Sequence, residues 1–266
     1  MNNHMFGSND EHDSAGQPWA GRTFASNNFS DDDGSASPAF IEAVAAFRAA
    51  ELWSDDKAHA LRKAVDSVRA TRFLIPLIAE AGDRGTNKDG LVVDKTQELS
   101  VVLVEGPDNS KALPAFSSVA AMQAWRSDAR PIPIPGIQLA AAAIEDNVDM
   151  IVIDPAQDSE LTIRARAFEA IADQRMWIPP HLDAELVRIF SAPGQNEPYV
   201  RGIRLMPGDP DARGMGSELI VEVAMIPGLE QDDVQRVVGR MADLWSDQQV
   251  IAEKVSSLLV NVVPAD

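Results

Sequence analysis

Between residues 72 and 155 the chain runs through RFLIPLIAE, LSVVLVEG, KALPAFSSVAAMQAW, IQLAAAAIEDNVD and MIVIDPA in succession, and this order constrains the fold more than any other feature. Short apolar runs bounded by Gly, Pro and Asp predict strands, and segments with apolar residues three and four apart predict helices. Residues 73–78 read as a strand whose Pro76 cannot donate to a ladder, which predicts an edge or a strand end. Residues 99–104 read as one continuous buried strand, turned back by Gly106, Pro107, Asp108 and Asn109 into residues 111–116 as an antiparallel hairpin. Ser117 or Ser118 caps a helix running to Trp125, and residues 131–135 are extended. An alanine-rich helix over 138–147 then leads into the apolar strand 150–153, which ends at Asp154 and Pro155. Strands interrupted by helices, with a hairpin among them, predict an α+β fold: a mixed sheet with helices on one face.

Upstream, residues 1–37 are rich in Asn, Ser, Gly and Asp and bury too little apolar surface to offset the entropy of ordering, so they predict a disordered acidic tail. Asp31, Asp32, Asp33 and Gly34 invite a calcium reading, but Phe29 stands where the first ligand of such a loop belongs and the pattern fails. Ser37 before Pro38 marks a helix start, with Ile41, Val44, Ala45 and Phe47 on the apolar face. A second helix over 56–71 carries Ala58, Leu61, Ala64, Val65 and Val68 as its stripe, and residues 81–90 read as a polar loop. Downstream, 161–165 read as a strand and 168–174 as a short helix. Pro179 and Pro180 then stop regular structure and mark a boundary. Beyond it come an amphipathic helix over 182–190, strands over 199–206 and 217–226, a helix over 232–243 continued by 250–255, and a last strand over 258–263. The expected organisation is a tail over 1–37, a first domain over 38–178 and a smaller α+β domain over 181–266, of order helix, strand, strand, helix, strand.

The 266 residues are enough for two cores. Acidic residues outnumber basic ones, 41 to 23, and the net charge of -18 repels phosphate backbones and anionic lipid, so neither nucleic acid nor membrane is an expected partner. Cysteine is absent, which removes thiolate nucleophiles, zinc–thiolate sites and disulfides together. The amino-terminal stretch MNNHMFGSNDEHDSAG lacks the basic start and apolar run of a secretory signal, and no apolar run is long enough to span a bilayer. A cytoplasmic location is therefore expected.

Chemistry-bearing motifs are scarce. Gly214, Met215 and Gly216 open like a dinucleotide fingerprint, but Leu219 replaces the third glycine and a strand follows. Neither a phosphate loop nor a nucleophile elbow occurs, and of the four histidines only His59 and His181 lie outside the tail. His59 has no second ligand at a metal spacing, and His181 follows Pro180 in a turn context. Neither a cofactor nor a metal site is expected. Asp154 stands at the carboxyl end of a buried strand, where open sheets place ligands, and Phe116, Ser117 and Ser118 offer backbone N–H groups at a helix start. These four residues form the candidate groove for a ligand or partner, although turn and helix capping account for the same residues.

FLIPLIAE, LSVVLVEGPDNSKALPAFSSVAAMQAW, AAAAIEDNVDMIVIDPA and RMWIPP resemble the amino-terminal domain of the SseB family (enhanced serine sensitivity) in its actinobacterial form. PWAGRTF, SDDDGSASPAF and the carboxy-terminal stretch extend the likeness over nearly the whole chain beyond residue 17. The resemblance implies no catalytic residue for this chain. The expectation is a non-enzymatic binding or regulatory module that meets another protein through an exposed sheet edge or interdomain groove, with the acidic tail tuning or shielding it. Self-association is compatible with that reading. The alternatives are a metabolite sensor whose ligand lies near Asp154 and Phe116, and a hydrolase or transferase with carboxylate chemistry.

Overall fold

A computed structural model describes residues 32–79, 84–86, 92–94, 99–101, 103–105 and 110–265. The expected tail lies outside the described residues as far as residue 31. Gly34–Asp266 forms one unit, and the fold below is that unit's. Helix α1 (Pro38–Ala49) begins with Pro38, whose fixed φ suits a first turn, while Ser37 makes no side-chain cap. Helix α2 (Asp55–Ser67) is capped by Ser54, which accepts from the Lys57 N–H, and a short 3-10 turn over 68–70 follows. Phe40, Val44 and Phe47 are the buried stripe of α1, so Ala45, expected on that face, is exposed instead.

Strand β1 (Arg72–Ala79) is the strand the sheets are built around. Phe73 and Ile75 point into the larger core, and Leu74 and Ile78 into a second cluster with Phe116, Met122 and Ala129. Burial on both faces explains why the run is continuously apolar. Pro76 does not make β1 an edge, contrary to expectation: β1 lies between β4 (Leu99–Val101) and β7 (Arg130–Pro135). The N–H of Leu74 donates to Phe116 O, and β4 pairs only with Leu77, Ile78 and Ala79. Pro76 sits between these two partners, where no ladder bond is asked of it.

The run 99–104 is likewise not one buried strand. Leu99–Val101 joins β1, whereas β5 (Val104–Glu105) forms the hairpin with β6 (Lys111–Ala115), and Leu103 and Val104 are exposed at the change of sheet. Within the expected loop 81–90, Arg84–Thr86 is a strand, β2, paired with β3 (Val92–Asp94); residues 81–83 and 87–90 lie outside the described residues. Helix α3 (Val119–Trp125) is capped by Ser118, which accepts from the Ala121 N–H. Helix α4 (Gly136–Glu145) leads into β8 (Met150–Ile153), which runs parallel to β6 and antiparallel to β9 (Leu161–Arg164) before α5 (Ala165–Ala172). The result is an α+β fold with mixed and antiparallel sheets.

Beyond Pro179 and Pro180, Asp183 caps α6 (Ala184–Gly194) by accepting from the N–H groups of Glu185 and Leu186. Strands β10 (Val200–Pro207) and β11 (Leu219–Met225) are antiparallel, helices α7 (Gln231–Ser246) and α8 (Gln249–Lys254) follow, and β12 (Leu258–Pro264) lies parallel to β11. Strict alternation along β11 sends Leu219, Val221, Val223 and Met225 into a core of their own with Leu186, Phe190, Val237, Met241 and Trp245. The Trp245 indole N–H closes that core by donating to Phe190 O at 3.3 Å.

Candidate functional site

Asp154 adopts φ 49°, a left-handed conformation that Asp tolerates better than most residues. That backbone turns the carboxylate back under the β6–α3 junction. Its Oδ1 accepts from the Ser117 N–H at 2.7 Å, and its Oδ2 accepts from the hydroxyls of Ser117 and Ser159 at 2.6 and 2.7 Å. The structure thus brings Asp154 and Ser117 together, places Phe116 directly behind them against Trp125 at 5.3 Å, and leaves Ser118 one residue away as the α3 cap. Phe116, Ser117 and Asp154 are all buried. Three donors at bonding distance satisfy the carboxylate, so these residues fasten the exit of β8 to the start of α3.

A second polar constellation was not foreseen, because its members come from both sides of Pro179. Arg164 of β9 meets Asp209 at 3.3 Å and donates to Gly216 O at 2.7 Å, while Asp209 accepts from the N–H groups of Arg213 and Gly214. Buried Lys57 reaches Asp211 at 3.1 Å, and Arg48 donates to the carbonyls of Asp211 and Glu160. Ala212 O accepts from the Thr162 N–H. A cavity of about 40 Å³ remains here, with Thr162, Trp177, His181, Asp209 and Glu218 in its wall. Thr162 Oγ1 and Trp177 Nε1 find no partner among the described residues. The space suits a few waters, each needing ~10–15 Å³, and falls well short of the ~300 Å³ of small-molecule sites. Burial pushes His181 down to about 4, with nearby Asp55 opposing. Burial also pushes the Glu218 carboxyl up, against the Ser256 N–H it accepts at 2.6 Å and the charges of Arg164 and Arg166.

The sheet edges are the third feature, and they are treated unequally. On β7 the residues facing β1 are Arg130, Ile132 and Ile134, so Pro131, Pro133 and Pro135 turn their missing N–H groups outward and leave that edge without donors. The β9 edge is covered by Ala212, and β4 and β5 are very short. On β10 the edge carries a register shift between Val200 and Gly202 and exposed Arg201 and Arg204, all devices that discourage edge pairing.

Strand β12 has only one of these, a proline at its last position, Pro264. Leu219 donates to Ser257 O and Ala265 to Met225 O. By alternation the N–H and C=O groups of Leu258, Val260 and Val262 therefore point away from the sheet. The strand reads LLVNVVP without a charge, Leu259 is 55% exposed, and Leu258 and Val262 are exposed as well. No sequence signal separates such a strand from a buried one, since LLVNVV is equally apolar; its exposure follows from its terminal place in the sheet. Among the described residues no helix is long and apolar enough to cross a membrane. Residues 42–172 match the family model of the SseB protein N-terminal domain, so β12 lies outside the match. No curated protein and no solved structure matches the chain.

Proposed function

Since residues 42–172 belong to the SseB family as its N-terminal domain, we propose that the chain is a non-enzymatic protein-binding module whose partner adds an extended segment to β12. One observation carries the reading: β7, β9 and β10 are each blocked or covered, whereas β12 presents outward N–H and C=O groups flanked by exposed apolar side chains. Main-chain bonds to a sheet edge supply affinity, and alternate side chains supply specificity. A partner strand with apolar residues at every second position would cover Leu258 and Val262 and close the open side of the second core. The mode of recognition needs neither cofactor nor metal, and the net charge of -18 favours a protein over a polyanion.

Val260→Pro is the discriminating variant. It removes an outward N–H and leaves the bonds to β11, made by the alternate residues, in place. Affinity capture from the cells that make the protein, washed at high salt to strip loosely held basic proteins, is compared between wild type and variant. A stoichiometric partner recovered with the first and lost with the second is the expected result. The same partners recovered with both would overturn the assignment to β12, provided the variant's melting curve shows it folded.

A further inference from the structure

The turn between α1 and α2 displays a side chain that the fold itself does not use. Trp53 is 56% exposed and holds φ 65°, a conformation that disfavours bulky residues. Leu52 beside it is exposed too, and Glu51, Asp55 and Asp56 surround the pair with exposed carboxylates. The turn is an apolar knob with an acidic rim.

The far end of α2 has the opposite character. Arg62, Lys63, Asp66 and Arg69 border a pocket of about 140 Å³ whose wall is completed by Met176 and Trp177. A cavity of ~150 Å³ accepts a six-membered ring. Arg69 is engaged by Asp66 at 3.3 Å and by the Arg175 carbonyl. Arg62 makes only a 3.9 Å contact to the Met176 sulfur, and neither it nor Lys63 meets a carboxylate among the described residues. Met176 is 69% exposed. In a chain of net charge -18, this is an apolar pocket with a cationic rim.

We infer that the pocket receives the 51–56 turn of a second copy of this chain. Knob and pocket match in charge and in apolar character, and they lie at opposite ends of one helix, roughly 20 Å apart at 1.5 Å per residue. Antiparallel pairing of α2 with its copy sets each turn over the other's pocket, so the contact closes as a two-fold dimer. The large aromatic at its centre is the kind of residue that dominates interface energetics. This contact uses no residue of β12.

Light scattering behind size exclusion, across low to high micromolar protein, tests it. The mass should rise toward twice 28.7 kDa with concentration. Trp53→Gly should weaken self-association by about tenfold or more while the melting temperature holds or rises, since glycine adopts a positive φ freely. Lys63→Glu should weaken it as well, and pairing Lys63→Glu with Glu51→Lys should restore it. A chain that stays monomeric throughout overturns the inference. So does a dimer indifferent to both Trp53→Gly and Lys63→Glu, or one abolished by Val260→Pro alone, which would locate the contact on β12.

Discussion

Replacing Asp154 tests whether the β8 exit is a fastening. In Asp154→Ala the Ser117 N–H and the hydroxyls of Ser117 and Ser159 lose their acceptor inside the protein. Each bond to a charged group contributes about 1.5–3 kcal/mol, and a stranded buried donor costs about 1–3 kcal/mol. Removing the carboxylate also removes its own desolvation penalty of several kcal/mol, so the bond energies do not simply add. Alanine at φ 49° adds roughly 1–2 kcal/mol. The net loss expected for Asp154→Ala is about 3–5 kcal/mol. Asp154→Asn keeps an acceptor and the tolerance of a left-handed φ, and should lose only about 1–2 kcal/mol. Asp154→Gly should be milder than alanine by about 1 kcal/mol, reversing the usual order, because glycine carries no strain there. Urea unfolding followed by far-UV circular dichroism reads the series. An alanine variant within about 1 kcal/mol of wild type, or a glycine variant worse than alanine, would refute the fastening.

Acid should weaken the fold through His181. Its folded pKa, about 4, lies below the ordinary 6.5, so as pH falls from 6.5 to 4 the unfolded chain takes up a proton that the folded chain refuses. Stability drops by about 1.4 kcal/mol per pH unit over that window, about 3 kcal/mol in all, and His181→Gln should flatten the slope in unfolding titrations. Glu218 works in the opposite sense. Its raised folded pKa favours the fold below the ordinary carboxyl range, and that contribution is lost as pH rises through the raised value. Glu218→Gln should therefore stabilise near neutral pH, with the gain vanishing in acid. Gly136→Ala should cost about 3 kcal/mol or more by thermal unfolding, because a Cβ there would stand 1.8 Å from the Val68 carbonyl oxygen.

Local chemistry was the readable part of the fold. Ser118 before an alanine-rich run, the strict alternation of LIVEVAM and Asp154 at a strand exit each act within a few residues, and each appears where the sequence places it, whereas Pro180, expected to stop regular structure, opens a 3-10 turn over 180–182. Pairings were not readable, because they join residues far apart in the chain. Nothing in RFLIPLIA says that Phe73 will face Ile134 on one side while Leu74 bonds Phe116 on the other. The apolar stretch 99–104 hid a change of sheet because apolar content alone does not distinguish a buried strand from one that leaves a sheet halfway. One pairing does show in the sequence: proline at every second position in RPIPIP leaves donors on a single side and so announces a strand that pairs on that side only. The candidate interaction features were the least legible. The exposure of β12, the backbone of Trp53 and the lack of a carboxylate beside Arg62 and Lys63 among the described residues depend on which distant segments fold around them, and a sequence does not list those.

The contact between Thr162 N–H and Ala212 O has a consequence for anyone who divides this chain. Ala212 belongs to the first core, although it lies beyond the paired prolines. A gene cut after Pro180 would produce a fragment with a hole where that methyl group belongs and with β9 stripped of its cover. Such a fragment would meet its own kind edge to edge and gather in inclusion bodies, while an added peptide spanning residues 207–214 would compete with that fate. The long β10–β11 connection, residues 208–218, thus makes the carboxy-terminal half a built-in solubiliser of the amino-terminal one.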